Sequence, residues 1–141
     1  MNRVKMVSRT LGVCFAATAL TVGAASTSSA AAAVTKTASC STTGASGSSV
    51  SVNGSDPRAE VQVTLSVKDT SADGHSVRVR YLTKTDTGQT LTWPWHTNAD
   101  GNGTTKVWST TAQSSYGIYE KGVEIARFEG STFLNSCTDW A

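Results

Sequence analysis

Residues Ala59 to Lys68 read AEVQVTLSVK. Val61, Val63, Leu65 and Val67 alternate with Glu60, Gln62, Thr64, Ser66 and Lys68. Successive side chains of an extended strand point to opposite faces, so strict period two gives one apolar and one polar face, the pattern of a half-buried strand. The cluster Asp69 to Gly74 (DTSADG) then turns the chain, and Val77, Val79 and Tyr81 alternate with Arg78, Arg80 and Leu82. The two runs read as a β-hairpin.

The same reading extends in both directions. Asp86-Thr87-Gly88 is a turn, and Gln89 to His96 (QTLTWPWH) alternates again, with Leu91, Trp93 and Trp95 on one face and Thr90, Thr92, Pro94 and His96 on the other. Pro94 has no N–H for a ladder, which predicts an edge or bulged strand. Asn98 to Gly103 (NADGNG) is the strongest turn signal, and Thr104 to Thr110 is a β-branched strand. Ser115 to Tyr119 and Val123 to Phe128 read as a last hairpin turning at Glu120-Lys121-Gly122, and a short strand is expected at Val50 to Val52. Six or seven strands with regular turn signals and no helical periodicity predict an all-β domain, an antiparallel sandwich or small barrel, over residues 49–141. Residues 31–48, rich in Ala, Ser, Thr and Gly, read as a flexible leader passing into loop.

The N-terminus carries a different pattern. Arg3, Lys5 and Arg9 precede the apolar run Leu11 to Val22, which gives way to the small residues Gly23 to Ala30. This three-part arrangement reads as a secretory signal cleaved near Ala30. The apolar run is shorter than the roughly 20 residues needed to span a bilayer core. The chain has 12 Lys+Arg and 10 Asp+Glu, and three of the bases lie in this segment with no acid, so the remainder holds nine bases against ten acids. That near-neutral balance argues against nucleic-acid and anionic-membrane partners for the mature form. About 110 residues remain, enough for one domain. Cys14 belongs to the signal, leaving Cys40 and Cys137 near the ends, which in an exported chain are expected to pair and tie the termini.

Chemistry-bearing residues are few. Trp93 and Trp95 would form a flat platform about 7 Å long if they shared an exposed strand face. Sugar rings stack on such platforms, with His96 beside them for hydroxyls and Trp140 as a further surface aromatic; the same alternation also suits a core position for both indoles. Asn98 to Gly103 matches the opening of a calcium loop, but the first ligand would be uncharged and Ser109 stands where a bidentate Glu belongs, so a β-turn is the expected reading and no metal is assigned. His75 and His96 are the two histidines, and neither a nucleophile elbow nor a paired-histidine metal motif is present, nor any cofactor motif.

The run VQVTLSVKDTSADG (Val61 to Gly74) before an Arg-Val-Arg strand resembles small exported proteins common in actinobacteria. So does the passage from Ala126-Arg127-Phe128-Glu129-Gly130 to Ser136-Cys137-Thr138-Asp139-Trp140. The similarity spans residues 58 to 141. It implies secretion and a β fold and brings over no activity or site residue. Taken together, the sequence leads to an extracellular, non-enzymatic binding module, with carbohydrate or cell-wall polymer as ligand. The alternatives are an extracellular protein-binding or enzyme-inhibitor domain and a small hydrolase.

Overall fold

The computed structural model describes residues 32–141. Residues 1–30, which read as a secretory signal in the sequence, lie outside the described residues. The elements are β1 (Val34–Thr42), β2 (Ala45–Asn53), β3 (Val61–Asp69), β4 (Ser76–Lys84), β5 (Thr90–Thr92), β6 (His96–Asn98), β7 (Thr105–Ala112), β8 (Glu120–Glu129) and β9 (Thr132–Trp140). They form two antiparallel sheets, one ordered β1-β2-β3-β7 and the other β5-β4-β8-β9, with β6 also pairing on β4. The fold is an open sandwich, not a closed barrel, and it has nine strands where six or seven were expected.

The alternation in β3 and β4 is the core. Val61, Val63, Leu65 and Val67 face Val77, Val79 and Tyr81 across the sandwich, and all are at most 2% exposed. Val123 and Ile125 of β8 complete this layer. At roughly 1.5–3 kcal/mol for each large side chain removed from water, these contacts dominate the favourable side of folding.

Three expectations change. First, β3 and β4 are not a hairpin. β3 pairs with β2 and β7, and β4 with β5, β6 and β8, so Asp69 to Gly74 arches from one sheet to the other. The arch is anchored at both ends: Asp69 N–H donates to Thr104 O (3.0 Å), Thr70 N–H to Gly44 O (3.1 Å), and Asp69 Oδ1 accepts from Ser71 N–H (3.0 Å). Second, the segment read as a leader is strand. The inner face of β2 is Ala45, Gly47, Ser49 and Ser51. These small side chains suit a place where Ile125 comes close: a Cβ at Gly47 would lie 2.6 Å from Ile125 Cδ1 and 2.3 Å from Ser66 O. Third, residues 113–119 are turn and loop, and the last hairpin is β8–β9 across Gly130, whose φ of 58° is a conformation that glycine adopts without strain.

Cys40 of β1 and Cys137 of β9 form a disulfide, with Cα atoms 6.0 Å apart across a separation of 97 residues. Each strand is the outermost of its sheet, so the bridge both ties the chain ends and staples the sheets along one edge. Replacing both cysteines by Ser should cost about 4 kcal/mol of unfolding free energy in urea, the chain-entropy value for so long a loop.

Tyr81 gives a pH-dependent prediction. Its hydroxyl is buried and makes no well-formed hydrogen bond; the nearby Ser51 hydroxyl donates to Lys36 O (3.3 Å). Burial pushes the phenol up to about 12, and the Ser51 hydroxyl opposes this only in part. The unfolded phenol ionises near 10 and the folded one later, so the stability it confers is complete below pH 10 and is lost as pH rises towards 12. Two pKa units correspond to about 3 kcal/mol. Tyr81→Phe should flatten this alkaline fall in unfolding free energy and leave neutral stability equal or higher, because an unsatisfied buried hydroxyl is removed.

Candidate functional site

The edge opposite the disulfide is built differently. β5 and β6 together make the edge of their sheet, pairing with β4 from Lys84↔Thr90 to Leu82↔Thr92 and from Val79↔His96 to Val77↔Asn98. Between those two ladders the edge chain uses three residues, Trp93, Pro94 and Trp95, against two on β4, Arg80 and Tyr81. This is a one-residue bulge centred on the proline that has no N–H to give. Trp93 N–H still reaches Tyr81 O (3.1 Å).

An extra residue inverts the facing of everything beyond it. Trp93 therefore lies on the core side with Tyr81, where its indole N–H donates to Thr83 Oγ1 (3.2 Å). Trp95 lies on the outer side, edge-on to Phe128 (5.7 Å between centroids) with the Arg80 guanidinium 4.4 Å over its ring. The two tryptophans thus do not share a face, and the platform expected from strict alternation does not form. His96, expected on the face opposite the tryptophans, turns inward and stacks at a tilt on Trp108 of β7 (5.2 Å). Trp140 is on the outer side, over Gly122, with the Lys84 ammonium 4.4 Å from its ring; β4 and β8 separate it from Trp95.

β7 approaches the second sheet chiefly at β6, because its partner edge is short and broken. The gap is a cleft of ≈ 310 Å³ bounded by Tyr81, Trp93, Pro94 and His96 of the second sheet on one side and by Leu65 and Thr110 to Ala112 of the first on the other. Trp93 is also a wall of a shallower depression of ≈ 330 Å³, whose other walls are Leu91, Thr92, Gln113, Ser114, Ser115 and Tyr116. Tyr116 is 68% exposed. No Asp, Glu, Lys or Arg lines either depression. The 113–119 turn that carries Gln113 and Tyr116 is held by Gly117 N–H to Ser114 O (3.0 Å) and Ile118 N–H to Pro57 O (2.7 Å). Tyr116 and Gln113 were not singled out from the sequence; their signal is exposure of a tyrosine in a loop beside an edge strand, which no periodicity reveals.

The remaining candidates are occupied structurally. In the Asn98 to Gly103 turn, the Asn98 amide is fully buried and bonds Thr104 O and Oγ1 (both 3.1 Å), while its Oδ1 accepts from Asp100 N–H (3.1 Å). Asp100 pairs with Lys106 (3.0 Å). Among the described residues no three His, Cys, Asp or Glu side chains cluster around a common point for a metal. Asp73 accepts the His75 amide N–H (3.0 Å) and pairs with Arg127 (3.2 Å). That amide bond, ahead of the Arg127 charge, holds the Asp73 carboxyl below the usual carboxylate range. Neither the His75 nor the His96 ring comes within salt-bridge distance of a carboxylate among the described residues, although the His75 charge contributes a little to holding the Asp73 carboxyl down.

No protein-family model, curated protein or solved structure matches the chain. Function is therefore read from the chemistry of the site itself.

Proposed function

We propose that the protein is an exported, non-enzymatic binding module that holds a neutral carbohydrate chain along its open edge. The observation that carries this is the pair of depressions meeting at Trp93. Their walls combine aromatic and aliphatic surface with hydroxyl and amide groups from Thr110, Thr111, Gln113, Ser114 and Ser115, and they contain no formal charge. A sugar has matching parts: apolar C–H faces for Trp93 and Tyr116, and hydroxyls for the neutral polar groups. A few placed polar groups in a mainly apolar lining is the usual build of a ligand site. Two depressions side by side suit successive units of a chain better than one isolated monosaccharide.

The export part of the proposal rests on the three-part pattern of residues 1–30 and on the Cys40–Cys137 bridge, since disulfides persist in oxidising compartments. The likeness to small exported actinobacterial proteins agrees with it. Among the described residues no helix is long and apolar enough to cross a membrane. The protein-partner reading has one observation in its favour, the outer edge of β7, which is unpaired and carries Val107 at 61% exposure. An unpaired edge of that kind can accept a strand from another chain.

The test is sedimentation of purified oxidised protein with insoluble polysaccharides and isolated cell walls. The wild type is expected to be retained, and Tyr116→Ala to bind about tenfold more weakly, equivalent to ~1.4 kcal/mol. Tyr116 is mostly solvent-exposed, so its loss should leave unfolding free energy within about 0.5 kcal/mol. Trp95→Ala, on the other side of the sheet, should leave retention unchanged. Wild type that sediments with no polymer, or Tyr116→Ala retained as well as wild type, contradicts the proposal.

A further inference from the structure

At one end of the sandwich two lysines occupy inward-facing register positions, Lys121 buried and Lys36 exposed at the margin. Lys36 of β1 pairs with Ser51, and Lys121 of β8 pairs with Thr83. Ser51 and Thr83 are both inner-facing and at most 1% exposed, and directly opposed residues share a face, so both lysine positions face inward. Lys121 is only 7% exposed and lines a pocket of ≈ 300 Å³, together with Asn53, Ser55, Tyr119, Ile118 and Val34 among others. No carboxylate among the described residues comes within salt-bridge distance of either lysine. The acids nearby in the fold are engaged elsewhere. Asp139 of β9, opposite inner-facing Val123, accepts Ser39 N–H (2.9 Å). Asp56, between two pocket residues, accepts Arg58 N–H (2.8 Å), and Glu120 pairs with Lys84 on the outer face.

The Lys121 stem is covered, but its ammonium is not among the fully buried unpartnered atoms, so the charge reaches solvent at the pocket without a counter-ion of its own. Here the neighbouring charge has the same sign. Burial first, and Lys36 second, lower the Lys121 pKa, which is the response of a cation with no counter-charge. We infer that this pocket is a binding site for a small anion, with Lys121 as its cation, Ser55 and Tyr119 as hydroxyl donors, and the exposed Lys36 outside the lining adding positive charge nearby. The chemistry required of the ligand is one carboxylate or phosphate group, on a body small enough to rest against Val34 and Ile118. The pocket shares no residue with the open-edge depressions, so this site stands or falls separately from carbohydrate binding.

The experiment is a thermal-melting and calorimetric titration of the purified oxidised protein with sodium phosphate and, separately, sodium acetate, each against sodium chloride at equal ionic strength. Saturable binding is expected, with a rise in melting temperature of about 5 °C at ten times the dissociation constant. The tighter of the two anions identifies the group. Lys121→Met should abolish the response and, without anion, melt at or above the wild type, since a partly desolvated charge with no counter-ion is gone. Lys121→Gln serves the same purpose if the Met variant does not fold, and Lys36→Met should weaken binding several-fold. The inference is overturned if neither anion acts beyond chloride, or if the Lys121 variants respond as the wild type does.

Discussion

One extra residue in an edge strand, at Trp93-Pro94-Trp95, decides which way the aromatic side chains of the open edge face. A regular ladder would set Pro94 opposite Arg80 with its nitrogen turned away from β4, since Trp93 N–H already donates to Tyr81 O, so the proline costs no ladder bond at this edge. The chain nevertheless spends three residues against two and resumes pairing at His96. That single extra residue sends Trp93 to the core side and Trp95 to the solvent side, and it turns His96 towards Trp108. It also shortens β5 and β6 to three residues each, so that edge of the sandwich is left ajar.

The two edges of the sandwich are consequently unlike. At β1 and β9 a covalent bridge holds the sheets together; at β5/β6 and β7 a tilted His96–Trp108 contact is the principal link. A sandwich with one closed and one open edge keeps the Val, Leu and Ile core dry at its centre while exposing aromatic surface at its margin. The outer face of the second sheet is more tightly committed. There Arg78 lies over Phe128, Arg80 over Trp95 and Lys84 over Trp140, and Arg80 and Lys84 also pair with Glu124 and Glu120. Aromatics already covered by cations offer less free surface than Tyr116, which is 68% exposed.

Strands β3 and β4 were legible because each buries one face made of large apolar residues, and burial of that kind writes period two into the sequence; β7 was legible from its β-branched run, since its inward face is Lys106, Trp108, Thr110 and Ala112. β2 was legible only at Val50 to Val52, although it lies inside its sheet. Its inner face is Ala45, Gly47, Ser49 and Ser51, and Ile125 from the other sheet supplies the bulk. A strand that contributes space in place of volume reads as loop. β9 is an edge strand with a mostly half-exposed pattern, which weakens the alternation for a different reason. The pairing of β3 with β4 was misread because Asp69 to Gly74 is equally good chemistry for a hairpin turn and for an arch; the hydrogen bonds to Thr104 and Gly44, distant in sequence, decide between them. At the candidate site the identity of Trp93 and His96 was readable and their facing was not. Proline marked a bulge, but its size sets the parity, and one residue more or less reverses it.

The separation of Trp93 and Trp95 is the claim on which the open-edge site depends, and nuclear Overhauser contacts from the two indoles test it most directly. The Trp93 indole should show contacts to Thr83, Tyr81 and Leu65, and the Trp95 indole to Phe128 and the Arg80 side chain. Contacts from both indoles to Phe128, or from both to the inner residues, would show that they share a face and would contradict the account.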